Sequence, residues 1–199
     1  MLQAVRLKGR ISPADLAATL KEDPDDVARV VERLTAAGLL AEGPTLGITH
    51  GGRARLEALL AEERAGADPA ALTAAYDDFH AVNAEFKRLV TDWQLKGGPG
   101  GSPNPHDDTE YDAAVLARLD DVHAQVLPIV EAVAAQLPRL HAYAAKLVAA
   151  LEKIRAGQTV WLTRPLIDSY HTVWFELHEE LIGAIGLSRE QAAKSGDVH

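Results

Sequence analysis

I-S-P-A-D-L-A-A-T-L-K-E-D-P-D-D-V-A-R-V-V-E-R-L-T-A-A-G-L-L, residues Ile11–Leu40, contains the same structural device twice. Ser12-Pro13 and Asp23-Pro24 each place a capping side chain ahead of a proline. The cap oxygen accepts from a free backbone N–H, and proline suits the first helical position because its missing N–H has no helical partner there. Two short helices are therefore predicted in succession across Lys21-Glu22. Val27, Val30, Val31 and Leu34 line one side of the second, and Gly38 ends it as a left-handed cap.

Working outward, Leu2 to Lys8 reads as a short opening helix stopped by Gly9. After Leu39-Leu40-Ala41, Gly43-Pro44 makes a turn and Leu46-Gly47-Ile48 a brief return strand. Thr49 leads into a helix from about Gly51 to Glu63 with Leu56, Leu59 and Leu60 inward. Helix, helix, helix, hairpin, helix is the order of a winged helix. Through Ile11–Leu20, Val31–Leu40 and I-T-H-G-G-R-A-R-L (Ile48–Leu56), residues 1–64 resemble the winged helix-turn-helix of MarR-like bacterial regulators. The resemblance implies a recognition helix beginning near Pro24 and a DNA partner.

Arg29 and Arg33, one turn apart, together with Arg10, Arg53 and Arg55, are the candidate phosphate contacts, with Arg6 and Lys8 beside them. The same cations also read as an ordinary solvated surface. The recognition helix opens on Asp23, Asp25 and Asp26, which phosphates repel but which also suit a helix N-terminus. The wing, Glu42-Gly43-Pro44-Thr45, has no cation.

Composition limits the alternatives. The 199 residues are 47% hydrophobic but only 5% aromatic, which favours a mainly helical chain with a core of Leu, Val, Ile and Ala. The absence of cysteine removes disulfides, thiolate catalysis and Cys-ligated metal sites, and is compatible with a reducing cytoplasm, the expected location. No apolar run approaches a membrane span, and the opening residues lack the apolar core of a secretory signal. Nine Lys and Arg stand against ten Asp and Glu in residues 1–66, but eleven against nineteen in the remainder. Only the first part approaches a phosphate backbone without a large electrostatic cost.

Two domains are expected: a winged helix at 1–66 and an antiparallel helical bundle at 67–199, joined closely through Ala65-Gly66-Ala67. Asp68-Pro69 caps a helix in which Leu72, Tyr76, Phe79, Asn83, Phe86, Val90 and Trp93 recur at alternating spacings of four and three. That seam suits an intramolecular core helix or a dimeric coiled coil, with Asn83 fixing register. Lys96 to His106 is rich in Gly and Pro, so 96–108 reads as a flexible loop, either a lid or a connector. From Thr109, Val115, Leu119, Val122, Val126, Ile129 and Val133 form another stripe that Pro128 is expected to bend or split. Pro138 begins a further helix, with Leu140, Ala144, Leu147, Leu151 and Ile154 inward and Gly157 at its end.

The last long helix is expected from Arg164-Pro165 to Gly183 or Gly186, followed by a tail helix capped by Ser188 and Gln191. Ile167, Tyr170, Trp174, Leu177 and Leu181 make its buried face. Tyr170, His171, Trp174 and His178 are the candidate ligand-binding residues of a pocket between helices. His171 and His178 are too far apart along the helix, about 10 Å, to grip one ion together. Asp77-Asp78-Phe79-His80, followed by His123 and His141, is similar to the helical domain of GntR-type regulators, which binds a metal and a small carboxylate. This resemblance implies a divalent metal held by Asp77, His80, His123 and His141. Asp92–Leu95 and Asp168–Ile182 also look similar to a helical region attached to actinobacterial enzymes that use phosphoenolpyruvate. That would make the chain a regulatory or protein-interaction module.

No nucleophile elbow, zinc-protease motif or phosphate-binding loop is present, so no enzyme is expected. The leading expectation is a homodimeric, ligand-responsive DNA-binding transcriptional regulator with a small-molecule effector. The alternative is a protein-interaction module that does not bind DNA.

Overall fold

A computed structural model describes residues 1–187; the expected tail helix at Ser188 and Gln191 lies outside them. The chain is mainly α-helical with two small antiparallel hairpins, and it divides into compact units at Met1–Gly66 and Ala67–His199.

In the first unit, α1 (Leu2–Lys8), α2 (Pro13–Leu20) and α3 (Pro24–Ala36) precede strands β1 (Leu40–Ala41) and β2 (Gly47–Ile48) and helix α4 (His50–Ala65). Both expected caps form: Ser12 Oγ accepts from Asp15 N, and Asp23 Oδ1 accepts from Asp25 N and Asp26 N. Between them, Lys21 closes α2 in the left-handed conformation at φ 55°. β1 and β2 pair antiparallel, Leu40 opposite Ile48, and Ile11 adds an isolated bridge to Leu46. The core gathers Val5, Leu16, Val27, Leu40, Leu46 and Leu56. Leu59 is not inward as expected. It is 38% exposed, because the burial of α4 runs through Gly52, Leu56 and, partly, Leu60.

Gly52 shows how tightly α4 is seated. Thr49 Oγ1 donates to Gly38 O and accepts from Gly52 N, drawing the first turn of α4 onto the chain entering β1. A Cβ on Gly52 would lie 2.0 Å from Leu39 O.

The second unit consists of α5 (Pro69–Gln94), hairpin strands β3 (Leu95–Lys96) and β4 (Ser102–Pro103), α6 (Thr109–Gln136), a 3₁₀ turn (Pro138–His141), α7 (Ala142–Arg155), α8 (Val160–Thr163) and α9 (Tyr170–Ala184). Every residue of the α5 seam is buried, Asn83 included, within an intramolecular core. Asp68 N donates to Gln136 Oε1 at one end of α5, while Tyr111 Oη donates to Asp92 O at the other. Helices α5 and α6 are therefore antiparallel. α6 runs unbroken through Pro128, with Val126, Ile129 and Val130 buried on both sides of it.

The segment 96–108, expected as a flexible loop, takes part in a short hairpin, β3 and β4 pairing antiparallel with Leu95 opposite Pro103 and Lys96 opposite Ser102. Asn104 is buried, and its amide donates to Trp93 O and Asp112 Oδ1 while its Oδ1 accepts from His106 N. The glycines serve backbone geometry: Gly97, Gly98 and Gly100 hold positive φ, and a Cβ on Gly101 would meet Lys96 O at 2.1 Å. The last helix begins at Tyr170, not at Arg164-Pro165. Leu166 is in the left-handed region at φ 68°, and Ser169 supplies the cap by accepting from Thr172 N.

The seat of α4 is testable with adjacent glycines. Gly52→Ala is expected to destabilise the first unit by about 2 kcal/mol through overpacking against backbone. Gly51→Ala, whose Cβ meets only ordinary contacts at 3.8 Å, is expected to be neutral or stabilising by up to about 1 kcal/mol. Amide hydrogen exchange across residues 38–56 measures both, and equal effects would rule out the close approach as the cause.

Candidate functional site

Each unit presents its own group of candidate residues. In the first, Arg29 and Arg33 are exposed on α3, four residues apart and therefore on one face. Arg29 is ion-paired to Asp26 in the same helix. Arg53 is exposed in the first turn of α4; Arg55, also exposed, reaches Glu62 at 3.8 Å. Arg6 and Lys8 are half-buried, with Arg6 Nε donating to Gln3 Oε1. Arg10 lies just ahead of the Ile11–Leu46 bridge, and its guanidinium donates to Thr45 Oγ1 at 3.4 Å. The β1–β2 turn, which has no cation of its own, therefore has one seated against it.

In the second unit, α5 and α9 meet through aromatic rings. Phe86 stacks on Trp174 at 4.3 Å between centroids and lies 6.0 Å from His171; Phe79 lies 5.0 Å from Trp174 and 5.4 Å from His178. Trp174 Nε1 donates to Asn83 Oδ1 at 2.9 Å inside this cluster. Beside it opens a narrow cleft of about 20 Å³ whose walls include Asn83, Phe86, Lys87, His171, Trp174 and His178. Three of the four expected ligand residues line it.

Tyr170 does not. It is fully buried one turn before Trp174, and its hydroxyl lies 3.1 Å from His123 Nδ1. Burial, reinforced by Asp120, raises the Tyr170 pKa far above the usual phenol range. Burial, reinforced by the positive charge of Arg155, lowers that of His123. A protonated phenol thus faces a neutral imidazole, and the tautomer of His123 sets which of the two donates. Burial also holds His171 below the ordinary imidazole value.

The expected metal set does not assemble. Among the described residues, no three or more His, Asp or Glu side chains gather where they could hold an ion. Asp77 and His80 are exposed because Tyr76, Phe79 and Asn83 take the inward positions of α5. His141 is exposed in the 3₁₀ turn, and His123 is engaged by Tyr170.

Sequence reasoning missed Glu176 and Glu180, which are buried on α9 at 3% exposure each. Arg139 pairs with Glu180 at 2.6 Å, and Tyr143 Oη donates to its other oxygen at 3.4 Å. Burial first, then the charges of Glu180 and Glu176, raise the Tyr143 pKa far above its ordinary value, so the hydroxyl remains a donor. One sequence signal was available: at about 100° per residue, Tyr170, Val173, Trp174, Leu177, Leu181, Ile182 and Ala184 span about half of the helix circumference, and Glu180 and then Glu176 flank that arc on the Val173 side.

Comparison of the chain with protein-family models, curated proteins and solved structures finds no match.

The two depressed histidines make stability depend on pH. The folded chain binds fewer protons at His123 and His171 than the unfolded chain does. Their contribution is therefore complete above the unfolded value of about 6.5 and is lost as the pH falls from there through the folded values. Trp93, Trp161 and Trp174 all lie in the second unit, so tryptophan fluorescence reports its unfolding alone. The urea midpoint is expected to fall between about pH 7 and pH 5, and the double variant His123→Gln/His171→Gln to flatten that slope. An unchanged slope would assign the dependence to other groups.

Proposed function

We propose that the chain is a ligand-responsive, DNA-binding transcriptional regulator of the cytoplasm. Residues 1–66 act as a winged helix-turn-helix and residues 67–199 as the effector-binding part. Several features support this reading: α2 and α3 joined through Lys21–Asp23, the exposed Arg29 and Arg33 on α3, and a hairpin directly before α4. The observation that carries it is Arg10 seated on Thr45, because it supplies from a neighbouring segment the cation that the hairpin lacks. The Asp23 carboxylate caps α3 by accepting from the backbone N–H groups of Asp25 and Asp26, so the acidic start of that helix has a structural role that is independent of DNA.

The chain acts as a homodimer, since two-fold operators are matched by two-fold proteins. An effector bound by the second unit favours one arrangement of the paired winged helices and so changes DNA affinity by its differential binding to the two states.

A second reading, a protein-interaction module, draws on the ion pairs of Arg29 with Asp26 and of Arg55 with Glu62. Both partially neutralise the cationic surface.

Binding to random-sequence duplex DNA separates the two. A regulator is expected to bind at about 50 mM salt and to weaken steeply towards about 200 mM, as released counterions compete. The triple variant Arg10→Ala/Arg33→Ala/Arg53→Ala is expected to lower the logarithmic salt slope by about one per phosphate contact removed. Absence of binding at low salt would favour the interaction module.

A further inference from the structure

Helix α3 has two sharply different sides. At about 100° per residue, Val27, Val31 and Leu34 share an arc of about 60° that packs into the core of the first unit. On the opposite side, Asp25, Ala28, Arg29, Glu32, Arg33 and Ala36 are all exposed within an arc of about 140°. Asp23 lies ahead of this face as the cap, and Asp26 stands at its margin, ion-paired with Arg29. The charged groups that the face presents are therefore two carboxylates and two guanidiniums. Neither Asn nor Gln occurs anywhere in α3.

That selection matches one kind of base pair. In the major groove guanine offers two acceptors, N7 and O6, which the arginine fork meets with two donors, and cytosine offers an N4 amino donor, which a carboxylate accepts. Adenine is read by the amide of Asn or Gln, which donates and accepts at once, and α3 has neither. Position on the face separates base contacts from phosphate contacts. Asp25 and Glu32 are about 20° apart near the middle of the arc, where a side chain meets base edges before it meets the flanking phosphates that repel it. Ala28 and Ala36 beside them add no bulk to hold the helix away. Asp25 to Arg33 rises about 12 Å, the length of three to four base pairs at about 3.4 Å each.

We infer that the first unit selects G·C-rich duplex DNA, with Arg29 and Arg33 donating to guanine N7 and O6 and Asp25 and Glu32 accepting from cytosine N4. The inference rests on the reading of residues 1–66 as a DNA-binding winged helix-turn-helix, whose second helix enters the major groove.

The test is competition at about 50 mM salt, where alternating d(GC) and alternating d(AT) duplexes of equal length displace the full chain from a fluorescent random-sequence duplex. The d(GC) duplex is expected to compete at least about tenfold more strongly. Arg29→Lys/Arg33→Lys keeps both charges but replaces each fork with a point charge. Its salt slope is expected to stay unchanged while the preference for d(GC) falls at least about fivefold. Asp25 serves the cap through its backbone N–H, so Asp25→Asn leaves the helix start intact. It exchanges a cytosine acceptor for an adenine reader and is expected to improve competition by d(AT) about threefold or more. Equal competition by the two duplexes, a preference for d(AT), or an undiminished preference in Arg29→Lys/Arg33→Lys would each overturn the assignment and leave DNA binding in place. Failure to bind any duplex would overturn the DNA-binding reading, and this inference with it.

Discussion

The hydrogen bond from Trp174 Nε1 to Asn83 Oδ1 determines how the second unit packs, because it joins two groups that neither helix can bury alone. A buried amide or indole N–H left unpaired costs roughly 1–3 kcal/mol, so α5 and α9 have one favourable rotation relative to each other, the one that joins this pair. Phe86 then stacks on Trp174, and Phe79 fits between Trp174 and His178. Apolar burial supplies most of the driving force in this core but little direction; the polar pair supplies the register.

The cleft follows from the same constraint. Trp174 is drawn to Asn83, and the aromatic wall stands beside Lys87 and His171 at the cleft and beside the buried ring of Tyr170, 5.6 Å from Phe86, whose hydroxyl turns to His123 on α6. On the far side of α9, Glu180 joins Arg139 and Tyr143. One helix thus meets three neighbours through three different polar contacts, each with a donor matched to an acceptor.

The first unit is organised on a smaller scale, by contacts between near neighbours. Caps at Ser12, Asp23 and Thr49 start α2, α3 and α4, and the absence of a side chain at Gly52 lets α4 reach the backbone of Leu39. Arg10 and Ile11 then tie the segment before α2 to the hairpin. The acidic start of α3 and the cationless hairpin looked like one conflict in the sequence. In the structure they are separate features, one explained by capping and the other offset by Arg10.

Sequence alone determined the starts of α2 through α6, the α5 seam and the boundary near Gly66. Each depends on residues a few positions apart: a cap oxygen and the N–H two or three residues on, a proline at its tolerated position, an apolar residue every three or four. Tertiary structure decided what lay beyond that range. Asn104 orders a Gly- and Pro-rich segment through Trp93 and Asp112, Tyr170 belongs to His123 and not to the cleft, and Glu176 and Glu180 are inside. Asp77, His80, His123 and His141 have the chemistry of a metal set, but three of them are exposed and the fourth, His123, is engaged by a tyrosine. A side chain's chemistry is written in its own residue, whereas its partner is chosen by packing between helices tens of residues apart.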